Sequence, residues 1–129
     1  MLSAIIVTHA ALAQALREAA ASIAGDVDHL EIISNVGLGP EEIVQRVREA
    51  IDRETQSEGC IVFCDLSGGS CATSSLLALH GHPRVRLLTG VNLPMLIDFV
   101  LRRHDLGLDA MAARLVQRGQ SSIQELKGS

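Results

Sequence analysis

Short apolar runs alternate with stretches of helical periodicity along the whole chain. Apolar and β-branched residues fill Leu2 to Val7 and Cys60 to Cys64 almost without interruption, which is typical of strands buried on both faces of a sheet. Two shorter runs, Leu30 to Ile33 and Val85 to Thr89, predict the second and fourth strands in chain order. The spacing between these runs leaves room for a helix after each strand.

Those intervening segments repeat apolar residues at the spacing of one helix face. In the first of them Leu12, Leu16, Ala19 and Ile23 form the apolar stripe. The spacing predicts four more helices: Pro40 to Ile51, a stretch through Leu76, Leu77 and Leu79, one beginning near Leu93-Pro94, and about Asp109 to Arg118. The tail from Ser121 to Leu126 is compatible with a frayed helix or a short strand.

The alternation of strand and helix predicts an α/β fold, with right-handed crossovers and a mainly parallel sheet between two layers of helices. No linker or internal repeat interrupts the pattern, so residues 1–129 are expected to form a single domain. Sheets of this kind place their sites beyond the carboxyl ends of the strands, where the strand order reverses. If the first strand is central, that point lies between the first and third strands.

Composition narrows the possible functions. The chain has 47% hydrophobic and 20% charged residues, as globular proteins do. Only 2% of its residues are aromatic and its net charge is −4, so a nucleic-acid binder is not expected. The start of the chain lacks the basic segment of a signal peptide, and no apolar run has membrane-spanning length. With three cysteines, we expect reduced thiols and a cytoplasmic location.

Two residues at the predicted switch point have complementary chemistry. His9 follows the first strand, and an imidazole near neutral pH can offer a nucleophilic lone pair. Asp65 follows the third strand, where its carboxylate would fix the tautomer of that ring and stabilise positive charge on it. Either residue alone is equally compatible with a plain structural role. The remaining histidines, His29, His80, His82 and His104, are expected to be solvated.

A glycine pair completes the constellation. Gly68, Gly69 and Ser70 precede the third helix, whose first amides and dipole favour an anion. Such a pair is weak support by itself, since any tight turn can use one. Together with His9 and Asp65, however, it indicates phosphoryl transfer through a phosphohistidine.

Other interpretations of the candidate residues have less support. Cys71 could be a thiolate at a helix N-terminus, although a small buried residue is the better interpretation. His80 and His82 lack a nearby thiol or carboxylate to complete a ligand set, so neither a metal nor a cofactor is expected. A response-regulator receiver needs an acidic pair after the first strand, and Thr8 and His9 occupy those positions, which argues against a receiver.

Three segments together resemble a known family: Thr8-His9, Asp65 to Ser70, and Gly90 to Leu96. They are similar to the mannose-family enzyme IIA domain of the bacterial phosphoenolpyruvate-dependent sugar phosphotransferase system, in order and over essentially the whole chain. The resemblance implies that His9 accepts phosphate from the histidine-containing phosphocarrier protein and passes it to a IIB subunit. It implies that Asp65 orients the ring and that Gly69 and Ser70 receive the phosphoryl oxygens.

The resemblance also implies a sheet of order 2-1-3-4 and a C-terminal antiparallel strand exchanged between the protomers of a homodimer. It supports the strand reading of Ser121 to Leu126. The IIB acceptor is expected on a separate chain. We expect the partners to meet a rim formed by Val91, Asn92, Leu93, Pro94 and Met95.

The chain departs from the family pattern beside the site. Ala10 stands where glycine often follows the histidine, Leu66-Ser67 replaces a Thr-Trp pair, and Cys71 occupies a position that is often proline. A dihydroxyacetone-kinase phosphotransfer subunit and a regulatory module controlled by His9 phosphorylation remain alternatives, as does a metabolite-binding domain. The sequence does not indicate which sugar, if any, is involved.

Overall fold

The computed structural model describes residues 1–54 and 57–128. It has four strands and five helices in this part of the chain. In chain order they are β1 (Ser3–Thr8), α1 (Leu12–Ala24), β2 (Leu30–Ser34), α2 (Pro40–Arg53), β3 (Cys60–Cys64), α3 (Ser70–Ala78), β4 (Val85–Leu88), α4 (Leu93–Arg102) and α5 (Leu108–Ser121). The predicted alternation of strands and helices is confirmed.

The strands form a parallel sheet in the order β2-β1-β3-β4. The order therefore reverses between β1 and β3, as expected. Val7 pairs with Cys64 in the register of these two strands. The residues that follow, His9 and Asp65, consequently leave the sheet side by side at its carboxyl edge.

Each face of the sheet packs against its own layer of helices. Ala4, Ile6 and Phe63 lie in one core with residues of α1, α4 and α5. Ile5, Val7, Val62 and the two strand cysteines lie in the other core with residues of α2 and α3. Successive residues of a strand point to opposite faces, which is why β1 and β3 are apolar at every position.

Two helices present a different face from the one their spacing predicts. Leu12 and Ile23 of α1 are exposed, while the small residues Ala13 and Ala20 are buried against the sheet. In α3 the two leucines, Leu76 and Leu77, are exposed. Small side chains allow a helix to pack close to a parallel sheet, so the largest apolar residues do not mark the buried face here.

Helices α4 and α5 pack tightly on each other. Asn92 caps α4 by accepting a hydrogen bond from the Met95 amide, and its side-chain nitrogen donates to the Gly119 carbonyl of α5. A Cβ at Gly119 would lie 2.7 Å from the Met95 sulfur, so a larger residue at this helix position would require the Met95 side chain to move. Buried Asp98 accepts two hydrogen bonds from Arg114.

The C-terminal tail after α5 is exposed. Ser121 is the last residue of that helix, and residues 123–128 have no regular secondary structure in this single chain. Ile123 and Leu126 are both exposed to solvent. In the part of the chain that the structure describes, no helix has the length and apolar character required to cross a membrane.

Candidate functional site

His9 and Asp65 meet at the carboxyl edge of the sheet. The Asp65 Oδ2 atom lies 2.9 Å from His9 Nδ1 and also accepts a hydrogen bond from the His9 backbone amide at 3.0 Å. The second carboxylate oxygen accepts from the Leu66 amide at 3.0 Å. These contacts hold both the backbone and the ring of His9 against one carboxylate.

The pKa of Asp65 is lowered from its ordinary value. Burial acts to raise this pKa, but the hydrogen bonds from the His9 amide and ring, together with charge on that ring, outweigh it. An ionised carboxylate can only accept hydrogen bonds, so the proton of the neutral imidazole is assigned to Nδ1. The lone pair is then on Nε2, and the side chain is 38% exposed.

The turn that follows β1 holds Ala10 in a left-handed conformation, with φ +53°. Its amide donates to the Asn35 side chain at 3.0 Å, and the Ser34 hydroxyl donates to its carbonyl at 2.7 Å. A residue with a Cβ is strained in this region. Hydrogen bonds from the end of β2 therefore support the turn that presents His9.

The predicted anion cradle lies beside the ring. Gly69 has φ +97° and ψ 176°, a conformation that is essentially restricted to glycine, and it precedes the first residue of α3, Ser70. A Cβ at Gly69 would lie 3.9 Å from His9 Nε2. The first amides of a helix have no partner within it, so α3 begins with donors next to the free nitrogen. Gly68 is exposed in the same turn.

Cys71 lies beneath the pair, at the second position of α3. It is 1% exposed, as its interpretation as a small buried residue predicts. Burial raises the pKa of its thiol, and the charge of Asp65 raises it further. Its sulfur, a ring nitrogen of His9 and a carboxylate oxygen of Asp65 lie within 4.8 Å of one another. This proximity was not predicted from the sequence.

Of the five residues of the predicted partner rim, four are half-buried and one is buried. Val91, Asn92, Leu93 and Pro94 are half-buried, and the Val91 amide donates to the Cys64 carbonyl, which links the start of this segment to the end of β3. The prediction that Met95 belongs to the rim is wrong, because its side chain packs in the core and is 3% exposed. It is buried because the Asn92 cap turns the first residues of α4 toward α5.

Three exposed apolar residues that were not predicted lie in the segments that follow β1, β2 and β3. We call Leu12, Val36 and Leu66 the apolar collar. A pocket of about 310 Å³ adjoins it, between the segment from Ala10 to Gln14 at the start of α1 and the residues Ile32, Ser34 and Val36. Hydropathy alone could not find the collar because it does not distinguish an exposed apolar residue from a buried one.

The other histidines are less uniform than predicted. His29, at the opposite edge of the sheet, has a buried Nε2 with no hydrogen-bond partner among the described residues. Its ring is 5.9 Å from that of Phe99. Burial lowers its pKa to about 4, with the Arg103 charge as the next cause. The prediction that it is simply solvated is wrong.

Comparison with known families finds one that spans most of the chain. The family model described as "PTS system fructose IIA component" matches residues 3–116. Among curated proteins, the "PTS system sorbose-specific EIIA component" of Klebsiella pneumoniae is 24% identical over 115 residues, which cover 89% of this chain and 84% of that protein.

Two further similarities extend this result. The "PTS system mannose-specific EIIAB component" of Escherichia coli is 24% identical over 125 residues, covering 95% of this chain, which spans 39% of that longer protein. The "Mannose/sorbose specific IIA subunit of phosphotransferase system" of Enterococcus faecalis has the same fold, with a TM-score of 0.88 and 22% identity. That alignment covers 98% of this chain and 96% of the solved one.

Proposed function

The chain belongs to the family of PTS system fructose IIA components, the mannose-family enzyme IIA domains of the sugar phosphotransferase system, and from this we propose that it relays phosphoryl groups through His9. It is then a phosphotransferase component with a phosphohistidine intermediate. The donor is the histidine-containing phosphocarrier protein and the acceptor is a IIB subunit. The observation that carries the proposal is the Asp65 carboxylate bound to His9 Nδ1, with Nε2 beside the Gly69 turn.

The proposed transfer uses the groups of the site in one displacement. The Nε2 lone pair of His9 attacks phosphorus on the donor's phosphohistidine, the new N–P bond forms as the old one breaks, and the bonding electrons return to the donor's ring. Asp65 stabilises the positive charge that develops on the His9 ring. The amides at the start of α3 and the Ser70 hydroxyl supply donors for the phosphoryl oxygens. The second transfer is the same step in reverse, toward the IIB side chain.

The surroundings of His9 suit brief contact with other proteins. The ring is partly exposed at an edge where Val36 is 70% and Leu66 is 58% exposed. Exposed apolar residues around a polar centre are typical of protein contact sites. We propose that the apolar collar, with Val91, Leu93 and Pro94 on its β4 side, receives the phosphocarrier protein and then the IIB subunit in turn.

Labelling tests the proposed function directly. The chain is incubated with phosphoenolpyruvate, enzyme I and the phosphocarrier protein, and bound phosphate is measured. We expect an acid-labile, alkali-stable label that His9→Ala abolishes and that His80→Ala, a substitution at an exposed histidine, leaves intact. A chain that takes no label, or that keeps it in His9→Ala, would contradict the proposal.

The identity of the acceptor is tested with the labelled chain. We expect a IIB subunit to remove the label at a rate that depends on its concentration. Transfer only to a dihydroxyacetone-kinase subunit, or no transfer to either acceptor, would replace the sugar relay with one of the alternatives named above.

We also propose a cytoplasmic homodimer in which the C-terminal tail of each protomer adds an antiparallel strand to its partner. Two observations support the exchange: β4 lies at the edge of the sheet, and the tail projects Ile123 and Leu126 into solvent. Light scattering should give twice the chain mass for the full chain. Deletion of residues 123–129 should weaken the dimer, and an unchanged dimer would rule out the exchange.

A further inference from the structure

The side chains of His9, Asp65 and Cys71 converge on one point from three separate elements. One potential ligand atom from each lies within 4.8 Å of the other two. His9 follows β1, Asp65 follows β3 and Cys71 belongs to the first turn of α3, so the backbone holds all three in place. The phosphoryl relay proposed above uses His9 and Asp65, but it has no role for the thiol.

From this geometry we infer that the three side chains form a binding site for zinc or a similarly thiophilic divalent ion, and that the bound ion inhibits the relay. Nitrogen, carboxylate oxygen and thiolate sulfur form a ligand set that suits Zn²⁺. Mg²⁺ and Ca²⁺ prefer oxygen ligands alone and should not compete for it.

The dimensions fit such an ion after a small adjustment. Zinc bonds of about 2.0–2.3 Å in tetrahedral geometry place the ligand atoms about 3.3–3.8 Å apart. Because the three ligand atoms lie within 4.8 Å of one another, side-chain shifts of at most about 1–1.5 Å would bring them to these distances. The Nδ1–Oδ2 distance of 2.9 Å would widen slightly as the ion replaces the hydrogen bond or engages the other ring nitrogen.

The fourth position of the ion would face solvent. Cys71 closes the floor of the site at 1% exposure, while the His9 side chain is 38% exposed above it. An ion entering from the crevice would thus have three protein ligands and one open position, as zinc has in sites where it binds an exchangeable water. Binding displaces the thiol proton to solvent.

The consequence for the relay rests on the proposed function. An ion on these ligands would engage the carboxylate that orients His9 and would either occupy the attacking nitrogen or lie beside it. The donor's phosphoryl group could then not reach the ring. Zinc and the phosphoryl group would therefore exclude each other, and the departure from proline at Cys71 is the feature that makes this chain sensitive.

Cobalt provides the first test, because it substitutes for zinc and reports thiolate ligation by a near-ultraviolet charge-transfer band. The reduced, metal-free full chain is titrated with Co²⁺ and the bound ion is then displaced with Zn²⁺. We expect the band in the unsubstituted chain and in Cys60→Ala, a buried cysteine at the other end of β3. Cys71→Ala and Cys71→Ser should lack it. Absence of the band from the unsubstituted chain, or its survival in both Cys71 variants, would overturn the site.

Affinity provides the second measurement. Loss of a ligand should weaken zinc binding at least about 10-fold in His9→Gln and in Cys71→Ser, since even residues behind the ligands contribute this much. Serine differs from cysteine in one atom, and thermal unfolding establishes that this variant is folded. Equal zinc affinity in Cys71→Ser and the unsubstituted chain would contradict the assignment.

The third measurement separates the two proposals. In the labelling reaction, Zn²⁺ should slow phosphorylation of the unsubstituted chain and Mg²⁺ at the same concentration should not. Cys71→Ser should resist zinc in the same mixture, which controls for effects on enzyme I and the phosphocarrier protein. Equal inhibition of both chains would overturn the regulatory inference. A chain that binds cobalt through Cys71 but is never labelled, even without zinc, would overturn the relay and leave the metal site established.

Discussion

The Nδ1 atom of His9 and the Oδ2 atom of Asp65 lie 2.9 Å apart, although the two residues are 56 positions apart in the sequence. The same oxygen accepts the His9 amide. One carboxylate thus fixes both the position and the tautomer of the ring, which leaves Nε2 free beside the Gly69 turn.

Substitution of Asp65 should separate orientation from folding. In Asp65→Asn the shape is kept, but the charge that stabilises the ring is lost and the amide can donate to Nδ1 and favour the wrong tautomer. We expect phosphorylation of His9 to slow by roughly 10²-fold, with a melting temperature close to that of the unsubstituted chain. Rapid-quench labelling measures the rate. Asp105→Asn, at an exposed acid, should label normally, and a normal rate in Asp65→Asn would remove the orienting role.

Gly69 should tolerate no side chain. Its φ of +97° and ψ of 176° cost a residue with a Cβ about 1–3 kcal/mol, and the added methyl group would lie 3.8–3.9 Å from His9 Cε1 and Nε2, in the space needed by the phosphoryl group. Gly69→Ala should therefore lose stability and label slowly. Denaturant unfolding and labelling rates measure the two effects.

Gly68 is the matched control for that substitution. It belongs to the same turn, it lacks a positive φ, and a Cβ there would have no described atom within 4 Å. Gly68→Ala should leave labelling and the free energy of unfolding near their original values. Equal behaviour of the two alanine variants would contradict the account of the turn.

Relief of strain at Ala10 should stabilise the domain. Its φ of +53° is unfavourable for alanine by about 1–2 kcal/mol relative to glycine. Ala10→Gly should accordingly raise the free energy of unfolding by about 0.5–1 kcal/mol, after the greater flexibility of unfolded glycine is subtracted. Ala15→Gly, at an exposed position inside α1, should instead lower it by about 1 kcal/mol. Urea unfolding of both variants tests the contrast in sign.

Stability should fall in mild acid because of His29. Burial lowers its pKa to about 4. The positive charges of Arg103, His104 and Arg17 also lower it, whereas the negative charge of Asp26 raises it. In the unfolded chain the His29 ring binds a proton near its ordinary pKa of about 6.5. The contribution of the neutral ring to the free energy of unfolding is therefore fully present above pH 6.5 and is lost as the pH falls toward 4. The loss should be about 1–2 kcal/mol, since partial exposure of the ring reduces the effect.

Nuclear magnetic resonance titration of the ring and urea unfolding at several pH values test this expectation. The pH dependence between 6.5 and 4 should be shallower in His29→Gln than in the unsubstituted chain. A ring that titrates near its ordinary pKa, or an unchanged slope in the variant, would contradict it.

The sequence by itself determined the strands, the parallel α/β architecture and the two residues that meet at the switch point. These features depend on local patterns: β1 and β3 are apolar at every position because both faces of the sheet are covered. The residues that follow β1 and β3 could be assigned to one site because the carboxyl ends of parallel strands lie at the same edge of the sheet. His9 and Asp65 were therefore predictable as neighbours without any knowledge of their distance.

Only the tertiary structure decided which face of each helix is buried and what surrounds the site. Hydropathy ranks Leu12 above Ala13, yet the smaller residue is buried because it lets α1 approach the sheet. Met95 is part of the core because the Asn92 cap sets where α4 begins. Cys71 lies beneath His9 and Asp65 because the Gly69 turn sets where α3 begins. Those directions arise from contacts between segments far apart in the chain, and no pattern of neighbouring residues records them.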